Sequence, residues 1–457
     1  MTVVIPADNP VSKVFHTENK TNSKYLVLTK GAFDRLIPAD LQEAHAVHDQ
    51  FADSALRVLA LSYKFTDELA SAAQLSDLED NQTFLGIIGM IDPPRPESKM
   101  AVAEARGAGI KPIMITGDHA LTAKAIAKEL DIYREGDKVV DGLTLATMND
   151  SQLSTDIEKI SVYARVSPED KLRIVKAWQS KGQIVAMTGD GVNDAPSLRA
   201  ADVGTTMGIA GTEVAKSASD IILADDNFAT IINAVREGRR VYANIKKTIY
   251  YLLSANIAEI LIMLLGALVG WGLPFTGMQL LYINVLADGI PGFGLSREKS
   301  EDGIMQAPPI DPQESLFSRG ISKRITTSSV TFIIISLIAF YIGNFMTVAG
   351  VAPSIDLGRT MAFLTLTLAS TYHIFNAKSN ESLLKNGIYN NKTIFWTTVL
   401  SLGITLLFML TPLREIVDAV VLGPTHWFIA IGLSLLIFLV IEIEKYLLKK
   451  GNKKFIG

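Results

Sequence analysis

Six long apolar runs in the second half of this 457-residue chain constrain its fold more than any other feature. They centre on Ile257–Leu273, Phe275–Leu295, Val330–Val348, Met361–Phe375, Ile394–Leu410 and Trp427–Ile443. Each approaches or meets the roughly 20 residues that a helix needs to cross a bilayer. One such run reads as easily as a buried helix of a soluble protein. Six in succession predict a six-span membrane domain. The second and fourth are the least pure, with Asn, Asp, Thr and His inside. Residues 1–245 carry most of the charge and read as soluble. The mean hydropathy of +0.27 is therefore an average of two unlike halves.

Lys and Arg in the loops set the expected orientation. Arg239, Arg240, Lys246 and Lys247 precede the first run. Arg297, Lys299, Arg319, Lys323 and Arg324 lie between the second and third. Lys378, Lys385 and Lys392 lie between the fourth and fifth, and Lys445, Lys449, Lys450, Lys453 and Lys454 follow the sixth. The alternate loops hold only Arg359 and Arg414. Both termini and the soluble half are expected in the cytoplasm. The formal charge of -4 argues against a nucleic-acid partner. Zero cysteine excludes a disulfide framework, Cys-ligated zinc and thiol catalysis. The opening residues MTVVIPADNPVSK do not read as a secretory signal. These features fit a bacterial plasma membrane.

In the soluble half, strand-like and helix-like stretches alternate. Phe84–Ile91, Lys111–Ile115, Gln183–Met187, Asp202–Met207 and Asp220–Leu223 read as strands. Glu97–Ala108 and Ala120–Leu130 read as helices. The alternation predicts a parallel sheet covered by helices, with ligands at the carboxyl ends of the strands. Two Thr-Gly-Asp turns fall there, at Thr116-Gly117-Asp118 and Thr188-Gly189-Asp190.

The run Met187–Pro196, MTGDGVNDAP, is the most informative stretch. Gly189 and Gly191 permit a sharp turn. Asp190 and Asp194 lie at a strand-to-helix junction, where both carboxylates can point at one spot. Such hard oxygen ligands suit Mg²⁺. Asn193 can hydrogen-bond a phosphoryl oxygen. A lone Gly-Asp-Gly would be an ordinary turn, but the whole run is harder to dismiss. Thr116, Gly117 and Asp118 precede a helix and offer an anion site, although Thr and Asp are also common caps. Lys171 in SPEDK can add a cation, or stand as a solvated helix lysine.

Two polar pairs interrupt the apolar runs. Asn256 and Glu259 share one helical face, as do Asn284 and Asp288. Gly289 and Pro291 follow and are expected to interrupt the helix and free carbonyl oxygens. Two carboxylates, two amides and free carbonyls suit Ca²⁺. The alternative is interhelical polar glue. His373 reads as a packed residue, and Glu442 and Glu444 as solvated ones.

TGDGVNDAP, MITGD and IDPPR (Ile91–Arg95) together resemble the P-type cation-transporting ATPases, and most closely the calcium-pump branch. The resemblance covers nearly the whole chain. It implies an α/β haloacid-dehalogenase-like (Rossmann-type) phosphorylation domain at 83–240. The tail of a nucleotide-binding domain would occupy 1–82 and a six-helix transmembrane domain 241–457. It implies Mg²⁺ and ATP as cofactors, with transported Ca²⁺. Asp190 would hold Mg²⁺ with Asp194 in support. Lys171, Thr116, Gly117, Asp118 and Asn193 would position the phosphoryl group. Asp92-Pro93-Pro94-Arg95 would be a hinge. Lys30, in a Lys-Gly-Ala run, Arg57 and Arg165 would contact nucleotide. SANIAEI and NVLADGIP resemble ion-binding helices, so Asn256, Glu259, Asn284 and Asp288 would hold the transported cation.

The departures are as specific. No DKTG run, which carries the family's phosphorylated aspartate, occurs in these residues, nor does the actuator's TGE. The family's adenine-stacking Phe falls near Ala7. Ala287 stands where the family has a threonine, and Ser370 lies near the place of a glutamate. One Ca²⁺ site at most is expected. The parallel sheet is expected to lack its first strand, leaving unpaired edges. The chain is expected to be inactive alone, either as a truncated remnant or as a partner of a separate N-terminal half carrying DKTGT. A membrane-tethered phosphatase is set aside, because no strand with its own nucleophile precedes the hinge.

Overall fold

The computed structural model describes residues 1–15, 23–36, 41–53, 56–67, 78–90, 93–301, 303–379, 381–387 and 389–450. Ile91, Asp92 of the expected hinge, the side chain of Arg57, and Lys453 and Lys454 lie outside the described residues. The chain divides into two compact units, Met1–Ile232 and Asn233–Gly457. The division falls eight residues before the expected one at 240/241.

The first unit opens with an antiparallel sheet. Its strands β1 (Thr2–Pro6), β2 (Tyr25–Ala32), β3 (Arg57–Thr66) and β4 (Thr83–Met90) pair in chain order. Helices α1 (Phe33–Leu36) and α2 (Gln42–Asp53) lie between β2 and β3 in sequence. The β4 stretch was expected in the parallel sheet. It pairs with β3 instead, Leu59 opposite Ile88, so the first sheet runs to Met90. Its Phe84 and Ile87 pack toward the core and its Leu85, Ile88 and Met90 are exposed, and a short apolar run carries no signal for which sheet it joins.

Next come α3 (Pro96–Gly107), β5 (Met114–Thr116), α4 (Ala120–Glu129), β6 (Lys138–Asp141), α5 (Gly142–Thr147), α6 (Asp150–Asp156), β7 (Ile160–Ala164), α7 (Pro168–Ser180) and β8 (Ala186–Thr188). The unit closes with α8 (Ala195–Ala200), β9 (Val203–Met207), α9 (Glu213–Ala218) and β10 (Ile221–Leu223). The expected parallel sheet is present, but as two three-stranded halves with orders β5-β7-β6 and β10-β9-β8. Every residue of β7 is buried, as a central parallel strand requires. Strands β5 and β8 are each the edge of their half. Helix α7 serves both, with Ile174 in the cluster under one and Val175 in the cluster under the other. Ile115 of β5 packs against the same cluster as Met187 of β8. Ser167 and Asp170 form a capping box that starts α7, with Pro168 in its first turn.

A 41-residue helix, α10 (Phe228–Leu268), carries the chain into the second unit. The helices α11 (Gly277–Tyr282), α12 (Gly289–Ser296), α13 (Ile321–Phe345), α14 (Ile355–Ala377), α15 (Leu383–Asn386), α16 (Lys392–Leu410) and α17 (Pro424–Lys450) complete it. Among the described residues, four helices are long and apolar enough to cross a membrane: α10, α13, α16 and α17 through Leu448. The other two expected spans are helical but differ in kind. The second is α11, a π-helical turn at Ile283–Asp288, and α12 in succession. The fourth, α14, is buried on nearly all sides, including Thr360, Thr365, Thr367, Ser370, Thr371, His373 and Asn376. A helix that meets protein all round can carry polar residues that a lipid-facing one cannot.

Candidate functional site

Two constellations stand out, one in each unit. In the first, Gly189 follows β8 and donates its N–H to the Thr205 carbonyl at 3.1 Å. A Cβ at this position would lie 2.5 Å from Asp194 Cβ, so only glycine fits. Asp194 is 6% exposed. Its Oδ2 accepts the N–H groups of Asp190 at 3.2 Å and Gly191 at 3.1 Å. Its Oδ1 accepts Lys171 Nζ at 2.6 Å. Asp194 thus faces inward and holds the turn together, whereas Asp190 and Asn193 are exposed. The sequence expectation aimed both carboxylates at one ligand. In the fold, Asp194 and Lys171 bind each other, and the Asp190 carboxylate is left exposed.

The other Thr-Gly-Asp turn ends β5. The Thr116 hydroxyl donates to Asp118 Oδ2 at 3.0 Å and accepts the Asp118 N–H at 3.1 Å. Gly117 has open space around it. Arg165 follows β7 with a left-handed φ of 51°. A Cβ on Gly142 would come within 2.3 Å of the Arg165 carbonyl, so the turns after β6 and β7 are locked together. Asp141, at the end of β6, is held below the usual carboxylate range by the hydroxyl and N–H of Thr144, with His119 and Arg165 adding. Thr116, Gly117, Asp118, Asp190 and Arg165 therefore all stand at carboxyl ends of parallel strands, the ligand side of such sheets. Lys30 does not. It is exposed on β2 in the antiparallel sheet, opposite Leu61. Arg57 opens β3 opposite Met90, four residues along the strand from Leu61.

In the second unit, Glu259 and Asp288 are buried at 6% and 1% exposure. Asn284 donates to Glu259 Oε2 at 2.8 Å. Tyr251 donates its hydroxyl to Asp288 Oδ1 at 3.3 Å. Among the described residues, Glu259 Oε1 and Asp288 Oδ2 are buried without a partner. Buried carboxylate oxygens are costly unless paired or metal-bound, so this donor set fits a hard cation. Among the described residues no three His, Asp or Glu converge, so the cluster offers two carboxylates plus the Asn284 amide. Asn256 is half-buried and lines an open groove of about 440 Å³ with Leu252, Leu253 and Ser296.

The expected helix break takes an unexpected form. Gly289 and Pro291 stay helical inside α12, and the irregularity is the π turn just before them. Pro291 has no N–H for the Ala287 carbonyl four residues back. Ser401 of α16 reaches that carbonyl at 3.4 Å. Tyr251 and Ser401 were not singled out in the sequence. A hydroxyl inside an apolar run was the available signal, but many such hydroxyls merely bond their own helix. His373 is packed as expected, fully buried between Tyr250, Tyr251 and Phe332. Glu444 was expected to be solvated. It is 8% exposed and accepts the Thr327 hydroxyl at 3.2 Å.

An α/β unit with Thr-Gly-Asp turns at its strand ends, followed by a helical membrane unit with two buried carboxylates, is an arrangement similar to that of ion-translocating ATPases. The comparisons agree. Residues 24–202 match the family model of haloacid dehalogenase-like hydrolases, and residues 272–447 that of the cation transporting ATPase C-terminus. The chain is 42% identical over 429 residues to calcium-transporting ATPase 1 of Lactococcus lactis, covering 93% of this chain and 48% of that protein. It is 39% identical over 434 residues to a calcium-transporting ATPase of Bacillus subtilis, covering 91% and 48%. It is 34% identical over 409 residues to the bovine calcium-transporting ATPase type 2C member 1, covering 88% and 41%. Over nearly its whole length the chain is thus similar to calcium-transporting P-type ATPases, and its long apolar helices make it an integral membrane protein. It spans about half the length of the curated relatives it matches.

Proposed function

We propose that this chain is the C-terminal part of an ATP-driven pump that exports Ca²⁺. The observation that carries this reading is the buried Glu259–Asp288 pair with an unpaired oxygen on each carboxylate. Ionisable groups inside a membrane domain are expensive and mark ion sites. Asn256, Glu259, Asn284 and Asp288 would supply this chain's share of the ligands. The names of the relatives support Ca²⁺ as the ion. The cytoplasmic placement of both termini and a bacterial plasma membrane belong to the same reading.

In the first unit, Asp190 would hold Mg²⁺, and Asp194 keeps the turn in shape. Bound Mg²⁺ neutralises charge on a transferring phosphoryl group. Lys171, Thr116, Gly117, Asp118 and Asn193 would position that group, while Lys30, Arg57 and Arg165 would contact ATP. We assign residues 1–90 to a nucleotide-binding tail and the rest of the first unit to phosphorylation, moving the first boundary to the end of β4. The nucleophile would come from a DKTGT strand outside these 457 residues. The free edges of β5 and β8 support this, because a strand between them would join the two half-sheets.

The test is phosphoenzyme formation from labelled ATP with Mg²⁺ and Ca²⁺, followed by an acid quench. This chain alone should give no label at 49.6 kDa. Adding the N-terminal part of a relative should give a hydroxylamine-sensitive label on the added part, dependent on Ca²⁺. Glu259→Gln and Asp288→Asn should remove that dependence. A label on the 49.6 kDa band would refute the placement of the nucleophile. The absence of DKTG favours one other reading, an inert remnant. No label even with the added part would select it.

A further inference from the structure

We infer that Asp226 is a positioning residue for the Asp190 turn, acting through the loop at 208–212. This rests on the proposed role of Asp190. The chain of contacts is short and made of backbone groups. Asp226 sits between β10 and α10 with a left-handed φ of 50°. Its Oδ1 accepts the Ile209 N–H at 2.9 Å and its Oδ2 the Ala210 N–H at 2.8 Å. One carboxylate thus clamps two successive amides of the loop. Two residues on, the Thr212 N–H donates to the Asp190 carbonyl at 2.9 Å.

The loop between these anchors has little freedom. The Gly208 N–H donates to the Leu223 carbonyl at 2.8 Å. A Cβ on Gly211 would fall 2.1 Å from the Met207 carbonyl. A shift of the loop at Asp226 therefore reaches Thr212 rather than dissipating. Asp226 is itself fixed from the other side. Arg95 donates to its carbonyl at 3.1 Å, so the segment after the paired prolines is tied to the same point. The two N–H donors hold the Asp226 carboxyl below its ordinary value, so the clamp is ionised at neutral pH.

An ordinary loop cap would steady residues 208–210 and nothing else. A positioning role reaches the Asp190 turn, and hydrogen exchange of the full chain in detergent separates the two. In Asp226→Asn, one oxygen is replaced by a donor that faces an N–H. Without Mg²⁺, exchange should rise roughly tenfold at 208–212 and also at Gly189–Gly191, with the turn at 116–118 unchanged. The Mg²⁺ concentration that half-protects 188–191 should rise several-fold, and Asp226→Glu should restore part of both effects. Faster exchange at 208–212 with 189–191 and the Mg²⁺ midpoint as in the parent chain would overturn the inference. If the parent chain shows no Mg²⁺-dependent protection, the proposed role of Asp190 fails. The positioning claim is then decided by the Mg²⁺-free exchange at 189–191. Should Asp226→Asn unfold the unit, Arg95→Ala frees only the Asp226 carbonyl. It should show the same pattern at smaller amplitude, and no change at 189–191 would overturn the inference.

Discussion

Asp194 makes its strongest contacts inside the protein, and this governs how it responds to substitution. Its carboxylate satisfies two turn amides and the Lys171 ammonium while only 6% exposed. Asp194→Asn would turn a donor toward groups that are already donors. A loss of about 1–3 kcal/mol in first-unit stability is expected, read by urea unfolding. Asp190→Asn removes an exposed carboxylate with no structural partner to abandon. It should leave stability within about 0.5 kcal/mol and act only on Mg²⁺ dependence. Equal destabilisation by both would sink the division of labour. The pH response follows from the depressed carboxyls. Asp141 and Asp226 are held below their ordinary value of 3.8 by hydrogen bonds to Thr144 and to the Ile209 and Ala210 amides. Their stabilisation is fully present above that value and is lost as pH falls through the lower folded one. First-unit melting should therefore be flat from pH 7 to 5 and fall below about pH 4. A decline already under way at pH 6 would point to other groups.

At the scale of elements, glycines decide where the membrane helices touch. A Cβ on Gly343 of α13 would lie 2.7 Å from Gly358 Cα of α14, and one on Gly358 would lie 2.9 Å from the Phe340 carbonyl. The two backbones meet there directly, as small residues allow in membrane packing. Gly343→Ala should cost about 1–3 kcal/mol, seen as a lower melting temperature in detergent. Gly403→Ala in α16, where nothing lies within 4 Å, should be neutral or gain up to about 1 kcal/mol from helix propensity. Equal effects would mean that the α13–α14 approach is not tight. The same elements mark the limits of sequence reading. The long apolar runs announced α10, α13, α16 and α17, because composition alone decides a lipid-facing span. They said less about α14, whose polar face is silent until its neighbours are known. Gly289 and Pro291 located a disturbance, but nothing local announced a π turn at Ile283–Asp288, or the Ser401 hydroxyl that meets the Ala287 carbonyl from another helix. The β4 stretch was legible as a strand and not as a member of the antiparallel sheet, since pairing partners leave no local trace.

At the scale of the whole molecule, the split parallel sheet carries the most consequential expectation. The absence of DKTG from these residues raised the expectation of unpaired strand edges, and among the described residues β5 and β8 are edges of separate halves. Each presents a row of unpaired backbone groups, the kind of edge that recruits another strand. Helix α7 already packs under both halves through Ile174 and Val175, so the platform for a joining strand exists. A peptide that runs as an apolar β-branched strand into DKTGT should bind parallel to β5 and β8. At a hundredfold excess over its Kd, linkage would add about 2.7 kcal/mol to the first unit. For a unit of this size that corresponds to a rise of roughly 5–10 °C in Tm. The Thr-Gly-Asp turns at 116–118 and 188–190 would then flank the incoming carboxylate, so a peptide with Asn in place of its Asp should bind without supporting phosphorylation. A scrambled peptide of the same composition should leave Tm unchanged. If both peptides stabilise equally, the edges are merely adhesive. If neither does, the halves have closed against each other and the nucleophile must reach the turns by another path.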